Sequence, residues 1–209
     1  QRSPNALVPI LNWIKTNSND GDEETLRAAV ECCLALCQAT SDDPRTRARA
    51  SQNMSRLLEE KDALLTLLTL LSLSHGFYTR FGALQLLVLL VEHRRLEVQD
   101  YVLTAPGGSS SVLQCLEAAP SSSTEIIRNE ALLLLPQLVR DNADIQKIVA
   151  FEGAFERLLD IIVQEGRIEG GVVVQDALDG LEALLLQNVS TQNFFRETLS
   201  IPLLGPLMY

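Results

Sequence analysis

Residues 144–166 read DIQKIVAFEGAFERLLDIIVQEG, and the interruption at Glu152-Gly153 decides how the whole chain is organised. Before it, Ile145, Ile148, Val149 and Phe151 recur at helical spacing. After it, Phe155, Leu158, Leu159, Ile161 and Ile162 do so again. Two amphipathic patterns separated by a glycine predict a short helix, a tight turn and a longer helix. Such a unit cannot bury its apolar face alone, so it requires neighbours of the same kind.

The neighbours are present. Gln146-Lys147-Ile148-Val149 is echoed by Gln99-Asp100-Tyr101-Val102 and Gln192-Asn193-Phe194-Phe195, and more faintly by Gln52-Asn53-Met54. These glutamines stand 47, 47 and 46 residues apart. A second register runs in parallel. Ala83, Leu84, Leu87 and Leu90 match Ala131, Leu132, Leu135 and Leu138, then Ala177, Leu178, Leu181 and Leu184; Ala29, Val30, Cys33 and Leu36 repeat it after a longer gap. A period near 47 with a short, a middle and a long helix per unit predicts an all-α, armadillo-like right-handed superhelix of about four three-helix repeats. The expected organisation is a single array over 1–209, with units at roughly 1–41, 42–93, 94–141 and 142–188 and a partial unit at 189–209. Ala29, Ala83, Ala131 and Ala177 are expected at equivalent close contacts between helices. The start at Gln1 without methionine and the end at Leu207-Met208-Tyr209 are read as the bounds of a piece of a longer protein.

Composition fits helix-on-helix packing: the chain is 46% hydrophobic, only 5% aromatic, and shows no convincing run of alternating strands. A formal net charge of −10 argues against nucleic acid, whose phosphates need a basic surface. The one basic run, Arg45, Arg47, Arg49 and Arg56, is read as a solvated helix face behind Asp42-Asp43, with an acidic partner or lipid head groups as the alternative. The longest apolar stretch, Ala63 to Leu73, is too short to span a membrane and carries Thr66, Thr69 and Ser72. The first residues lack the shape of a signal peptide.

Chemistry-bearing motifs are scarce. Cys32, Cys33, Cys37 and Cys115 read as small core residues of leucine-rich helices rather than a disulfide framework, which suits the cytosol. They are too few and too far from His75 and His93 to hold zinc, so no metal or cofactor is expected. Pro106-Gly107-Gly108-Ser109-Ser110-Ser111 has no following lysine and no preceding strand, so it reads as a turn before a helix of about 111–118 rather than a phosphate loop. Gly166-Arg167-Ile168-Glu169-Gly170-Gly171 is a second connector, and Asn188-Val189-Ser190 matches a glycosylation acceptor that is read as incidental. No nucleophile elbow or carboxylate pair stands out, so catalytic residues are not assigned and the chain is not expected to be an enzyme.

The segment from Ile145 to Glu152, continued by Ala154 to Ile162, closely resembles the globular head of the general vesicular transport factor family, long Golgi proteins that capture transport vesicles. Glu125-Ile126-Ile127-Arg128-Asn129 before Leu132-Leu133-Leu134, Gly170-Gly171-Val172-Val173-Val174 before Asp176, and Gln192-Asn193-Phe194-Phe195 resemble the same family in the same order. The likeness is dense over 124–198, fair over 76–118 and weak before 75. It implies a non-enzymatic scaffold at the cytosolic face of Golgi and transport vesicles, acting in ER-to-Golgi and intra-Golgi transport. It further implies peripheral membrane association through partners, namely a Rab-type GTPase, Golgi matrix proteins, other tethers and the fusion machinery. Homodimerisation through a later coiled coil, for which no heptads occur here, is also implied. The alternative is a generic cytosolic armadillo adaptor, a cargo carrier or a chaperone nucleotide-exchange factor. Trp13, the single tryptophan, lies outside the long-helix register, which counts against an importin-like carrier.

With the Ala131 stripe turned inward, Arg128, Asn129 and Gln137 are expected toward solvent, with Gln175 and Asp179 in comparable places one unit on. Successive long helices line the concave surface of such arrays, so these five are candidate partner contacts. Lys147, Glu152 and Arg157 are candidates for a second reason: packing does not explain their match to the family. Gln146 is expected to have a structural role, because a buried amide needs partners and the same residue recurs at Gln52, Gln99 and Gln192.

Overall fold

The interruption at Gly153 is a turn through the left-handed region of backbone space. The computed structural model describes residues 6–39, 41–60, 62–117, 122–198 and 205. Within them the chain is all-α and armadillo-like, with no strand among the described residues. Gly153 has φ +91° and leads directly into a new helix, as Gly107 (φ +69°) and Asp62 (φ +65°) do earlier. Glycine adopts this conformation without steric cost, and aspartate tolerates it better than most residues.

The helices fall into two compact units, Gln1–Val98 and Gln99–Tyr209. The first holds α1 (Leu7–Asn17), α2 (Glu23–Cys37), α3 (Pro44–Glu59), α4 (Ala63–Thr69) and most of α5 (Phe77–Thr104). Asp22 and Asp43 cap α2 and α3 by accepting from the backbone N–H groups of Thr25 and Thr46, and Pro44 opens α3 where its missing N–H costs nothing. Arg94, with φ −144° and ψ 67°, breaks α5 into a longer and a shorter part. The core of this unit is built from Leu7, Leu11 and Ile14, from Leu26, Val30, Cys33 and Cys37, and from the Ala83–Leu84–Leu87–Leu90 stripe.

The second unit continues with α6 (Gly108–Gln114), α7 (Ser122–Val139), α8 (Ala143–Phe151), α9 (Ala154–Gln164), a 3-10 turn at Arg167–Glu169, α10 (Gly171–Leu185) and α11 (Val189–Glu197). Phe155, Leu158, Ile161 and Ile162 of α9 pack inside with Ala131, Leu135, Leu138, Ala177, Leu181 and Leu184. The connector at Gly166 to Gly171 is present, and the glycine-serine run opens α6 at Gly108 rather than at 111; the expected end at Ala118 lies outside the described residues.

Three expectations need correction. Ala83, Ala131 and Ala177 are fully buried, but Ala29 is only half-buried, because α2 turns the stripe Leu26, Val30, Cys33 and Cys37 inward, one position round from the sequence register. Ile148 is exposed and Phe151 is 57% exposed, although both match the apolar spacing. In α8 the inward positions are Ile145, Gln146, Val149 and Ala150, so a polar residue takes the place that periodicity assigns to its apolar neighbour. Cys32 is exposed, whereas Cys33, Cys37 and Cys115 are buried as expected. Burial pushes the Cys33 thiol up to about 12 and that of Cys37 to about 11, so neither forms a reactive thiolate near neutrality.

Candidate protein-binding groove

The long helices α7 and α10 pack against each other, and Gly180 of α10 faces both α9 and α7. A methyl there would lie 3.3 Å from Leu158 and 3.6 Å from Leu135. Each long helix then ends in the same way. Asp141 (φ +57°) and Gln187 (φ +55°) reverse the chain, and the next residue, Asn142 or Asn188, caps the following short helix. Asn142 Oδ1 accepts from the N–H groups of Asp144 and Ile145; Asn188 Oδ1 accepts from those of Ser190 and Thr191.

These asparagines are tied to the recurring glutamines. Gln146 Nε2 donates to the carbonyls of Ala183 (2.7 Å) and Leu186 (3.3 Å), and its Oε1 accepts from Asn188 Nδ2 at 2.9 Å. One period earlier, Gln99 Nε2 donates to the carbonyls of Leu138 and Arg140, both at 2.8 Å, and Asn142 Nδ2 approaches Gln99 Oε1 at 3.5 Å. Each glutamine therefore satisfies orphan carbonyls at the end of a long helix some 40 residues on. Gln52 and Gln192 do not share this role: both are exposed, and Gln192 donates to the carbonyl of Leu185. The asparagine partners escaped the sequence reading although Asn142 and Asn188 each stand four residues before a period glutamine.

Between α7 and α10 lies a groove of about 690 Å³. Leu133 and Leu186, 47% and 54% exposed, form apolar shoulders with half-buried Pro136. Proline has no N–H, so the Leu132 carbonyl on the same wall loses its helical donor. Asp176, Asp179 and Glu182 line the α10 side, Asp141 lies at the end of α7, and Arg140 is the one cation of the lining among the described residues. Asp176, Asp179 and Glu182 make no ion pair among the described residues, although Asp179 accepts a hydrogen bond from Gln175 at 2.8 Å. Burial and the neighbouring Asp179 hold the Asp176 carboxyl above its ordinary value.

The structure gathers few of the candidate residues here. Asp179 lines the groove, and exposed Gln175 borders it through their hydrogen bond. Arg128 does not face solvent: it is 5% exposed, with its guanidinium bonded to Asn129 Oδ1 and, at 2.5 Å, to Glu165 Oε1. A helix in a stack is packed on more than one side, and the face bearing Arg128 meets Glu165. Asn129 and Gln137 are half-buried, and Gln137 donates to the Leu133 carbonyl. Lys147 pairs with Asp144 on α8, and Glu152 is exposed. Arg157 is committed to the fold: Nη1 donates to the carbonyls of Glu152 and Gly153, and Nη2 pairs with Glu117 at 3.1 Å. No group of side chains suited to a metal ion occurs among the described residues, and none of the described helices is long and apolar enough to cross a membrane.

The chain is 36% identical over 188 residues, 90% of its length, to the intracellular protein transport protein uso1 of Schizosaccharomyces pombe, of which it covers 17%. It is 44% identical over 147 residues, 70% of its length, to the general vesicular transport factor of Bos taurus, of which it covers 15%. The crystal structure of Uso1-1 superposes with a TM-score of 0.84 at 29% identity, over 96% of this chain and 33% of that one. The chain is a member of the Uso1 and general vesicular transport factor family. The chain is also 38% identical over 176 residues, 83% of its length, to golgin candidate 6 of Arabidopsis thaliana, of which it covers 19%. No protein-family model matches the sequence. The chain spans about one sixth of the length of these curated Uso1 relatives.

Proposed function

We propose that this chain is a non-enzymatic protein-interaction scaffold acting in vesicle transport between the endoplasmic reticulum and the Golgi and within the Golgi. The observation that carries this reading is the 36% identity, sustained over 90% of the chain, to a protein named for intracellular protein transport. Its partners on this reading are proteins of the transport machinery: a Rab-type GTPase, Golgi matrix proteins, other tethers or the fusion apparatus. Association with membranes is peripheral, through those partners at the cytosolic face, and the whole protein is a dimer. The array runs as one series of repeats through both units. The contact surface includes Gln175 and Asp179 beside the α7–α10 groove, and half-buried Lys147 and exposed Glu152 form a separate rim.

Depletion of the protein, followed by timing of a pulse of secretory cargo from the endoplasmic reticulum to the Golgi, tests the reading. Cargo should be delayed and vesicles should accumulate, with recovery on re-expression. Unchanged transit after full depletion would exclude a transport role.

A further inference from the structure

Any occupant of the groove between α7 and α10 has to satisfy what the fold leaves unsatisfied there. The amides do not qualify. Gln146 spends both polar atoms on Ala183, Leu186 and Asn188, and Asn142 divides its own between the α8 cap and Gln99. The uncommitted groups are of two kinds: the Asp176, Asp179 and Glu182 carboxylates without ion-pair partners, and the apolar shoulders Leu133, Pro136 and Leu186. Arg140 is the single cation against them among the described lining residues. A volume of about 690 Å³ suits a few residues of peptide, not the side of a folded domain.

Spacing narrows the occupant further. Six residues of helix separate Asp176 from Glu182, a rise of about 9 Å at 1.5 Å per residue. A peptide extended in the polyproline II conformation advances about 3.1 Å per residue and returns to the same face every third residue, so two basic side chains three positions apart reach both carboxylates. A leucine-like side chain beside the basic pair meets Leu133 or Leu186.

We infer that the α7–α10 groove binds a short extended segment of a partner protein that carries two basic residues three positions apart beside a bulky apolar one. This inference rests on the scaffold reading above and assigns that scaffold the chemistry of a partner. Sign selectivity comes from the carboxylates, and position along the groove comes from the apolar shoulders. Exposed charges dominate the recognition, so it weakens steeply with ionic strength.

The test uses the full chain and eight-residue fluorescent peptides read by anisotropy. One peptide carries Arg-x-x-Arg followed by leucine, a second has both arginines replaced by glutamate, and a third has the leucine replaced by serine. The first should bind, weaken about tenfold between low and high salt, and lose about tenfold or more in an Asp176→Asn/Asp179→Asn/Glu182→Gln variant. The glutamate peptide should not bind, and the serine peptide should bind more weakly than the first. An unaltered helical spectrum and melting curve verify that the variant is folded; if it is not, Leu133→Ser/Leu186→Ser with intact carboxylates replaces it and should weaken the leucine peptide more than the serine one. Equal binding of basic and acidic peptides, no binding of the basic peptide, or full binding by a folded carboxylate variant would overturn the inference. The transport reading fails separately. Normal cargo transit after depletion refutes transport whatever the peptides do, whereas delayed transit with no peptide binding refutes the groove alone.

Discussion

Gln146 shows how one side chain can be both a repeat marker and a stability element. Its amide closes orphan carbonyls of Ala183 and Leu186 and takes a hydrogen bond from Asn188, in a position only 4% exposed. Truncation leaves several buried polar groups without partners, so Gln146→Ala should lower unfolding free energy by about 2–4 kcal/mol in urea titration. Gln192→Ala removes an exposed amide from the same place in the period and should cost under about 0.5 kcal/mol. Equal losses from the two substitutions would contradict the distinction between them. Recurrence alone marks Gln146 as structural. Recurrence does not separate Gln146 and Gln99 from Gln52 and Gln192, because the deciding partners stand some 40 residues away in the chain. The same distance hid the burial of Arg128, whose anionic partner is Glu165.

At the scale of elements, the turn at Gly153 separates two effects that glycine positions usually mix. Both Gly153 and Gly107 have positive φ, so alanine at either carries backbone strain of about 1–2 kcal/mol. At Gly107 the new methyl meets nothing within 4 Å, but at Gly153 it comes within 2.8 Å of Arg157 Nη1. That guanidinium holds the carbonyls of Glu152 and Gly153. Gly153→Ala should therefore lower the melting temperature more than Gly107→Ala, by calorimetry on the same chain. Identical shifts would show that Arg157 is not a clamp on the turn. Helix existence and the turns between helices were legible in the sequence, since a 3.6-residue apolar period and its interruptions are local. Helix phase was not. Spacing alone could not tell that α8 buries Gln146 and exposes Phe151, whose ring instead packs edge-on against Phe194 at 4.7 Å. The groove was legible only through Asp179. Asp176 and Glu182 look like ordinary surface acids until α7 and α10 are known to be neighbours.

For the molecule as a whole, a formal charge of −10 and a pI near 4.7 set its colloidal behaviour and the sign of its partners. Self-repulsion keeps such a chain dispersed at neutral pH and vanishes as the carboxylates protonate. Turbidity should rise to a maximum near pH 4.7, and heparin should not retain the protein at neutral pH and moderate salt. Retention would reveal a basic face strong enough to outweigh the net charge. The cap at Asn188 has a consequence for where the chain can be made. Asn188-Val189-Ser190 reads as a glycan acceptor, and a glycan would be attached to Asn188 Nδ2. In the folded chain that nitrogen points inward and donates to Gln146 Oε1 and the Ala143 carbonyl, with the residue 4% exposed. A sugar added to the nascent chain would take the atom that joins α11 to α8, and a finished fold would shield it from the transferase. Fused to a secretory leader, this sequence should emerge either unglycosylated and folded or glycosylated and retained by quality control, and not as a folded glycoprotein.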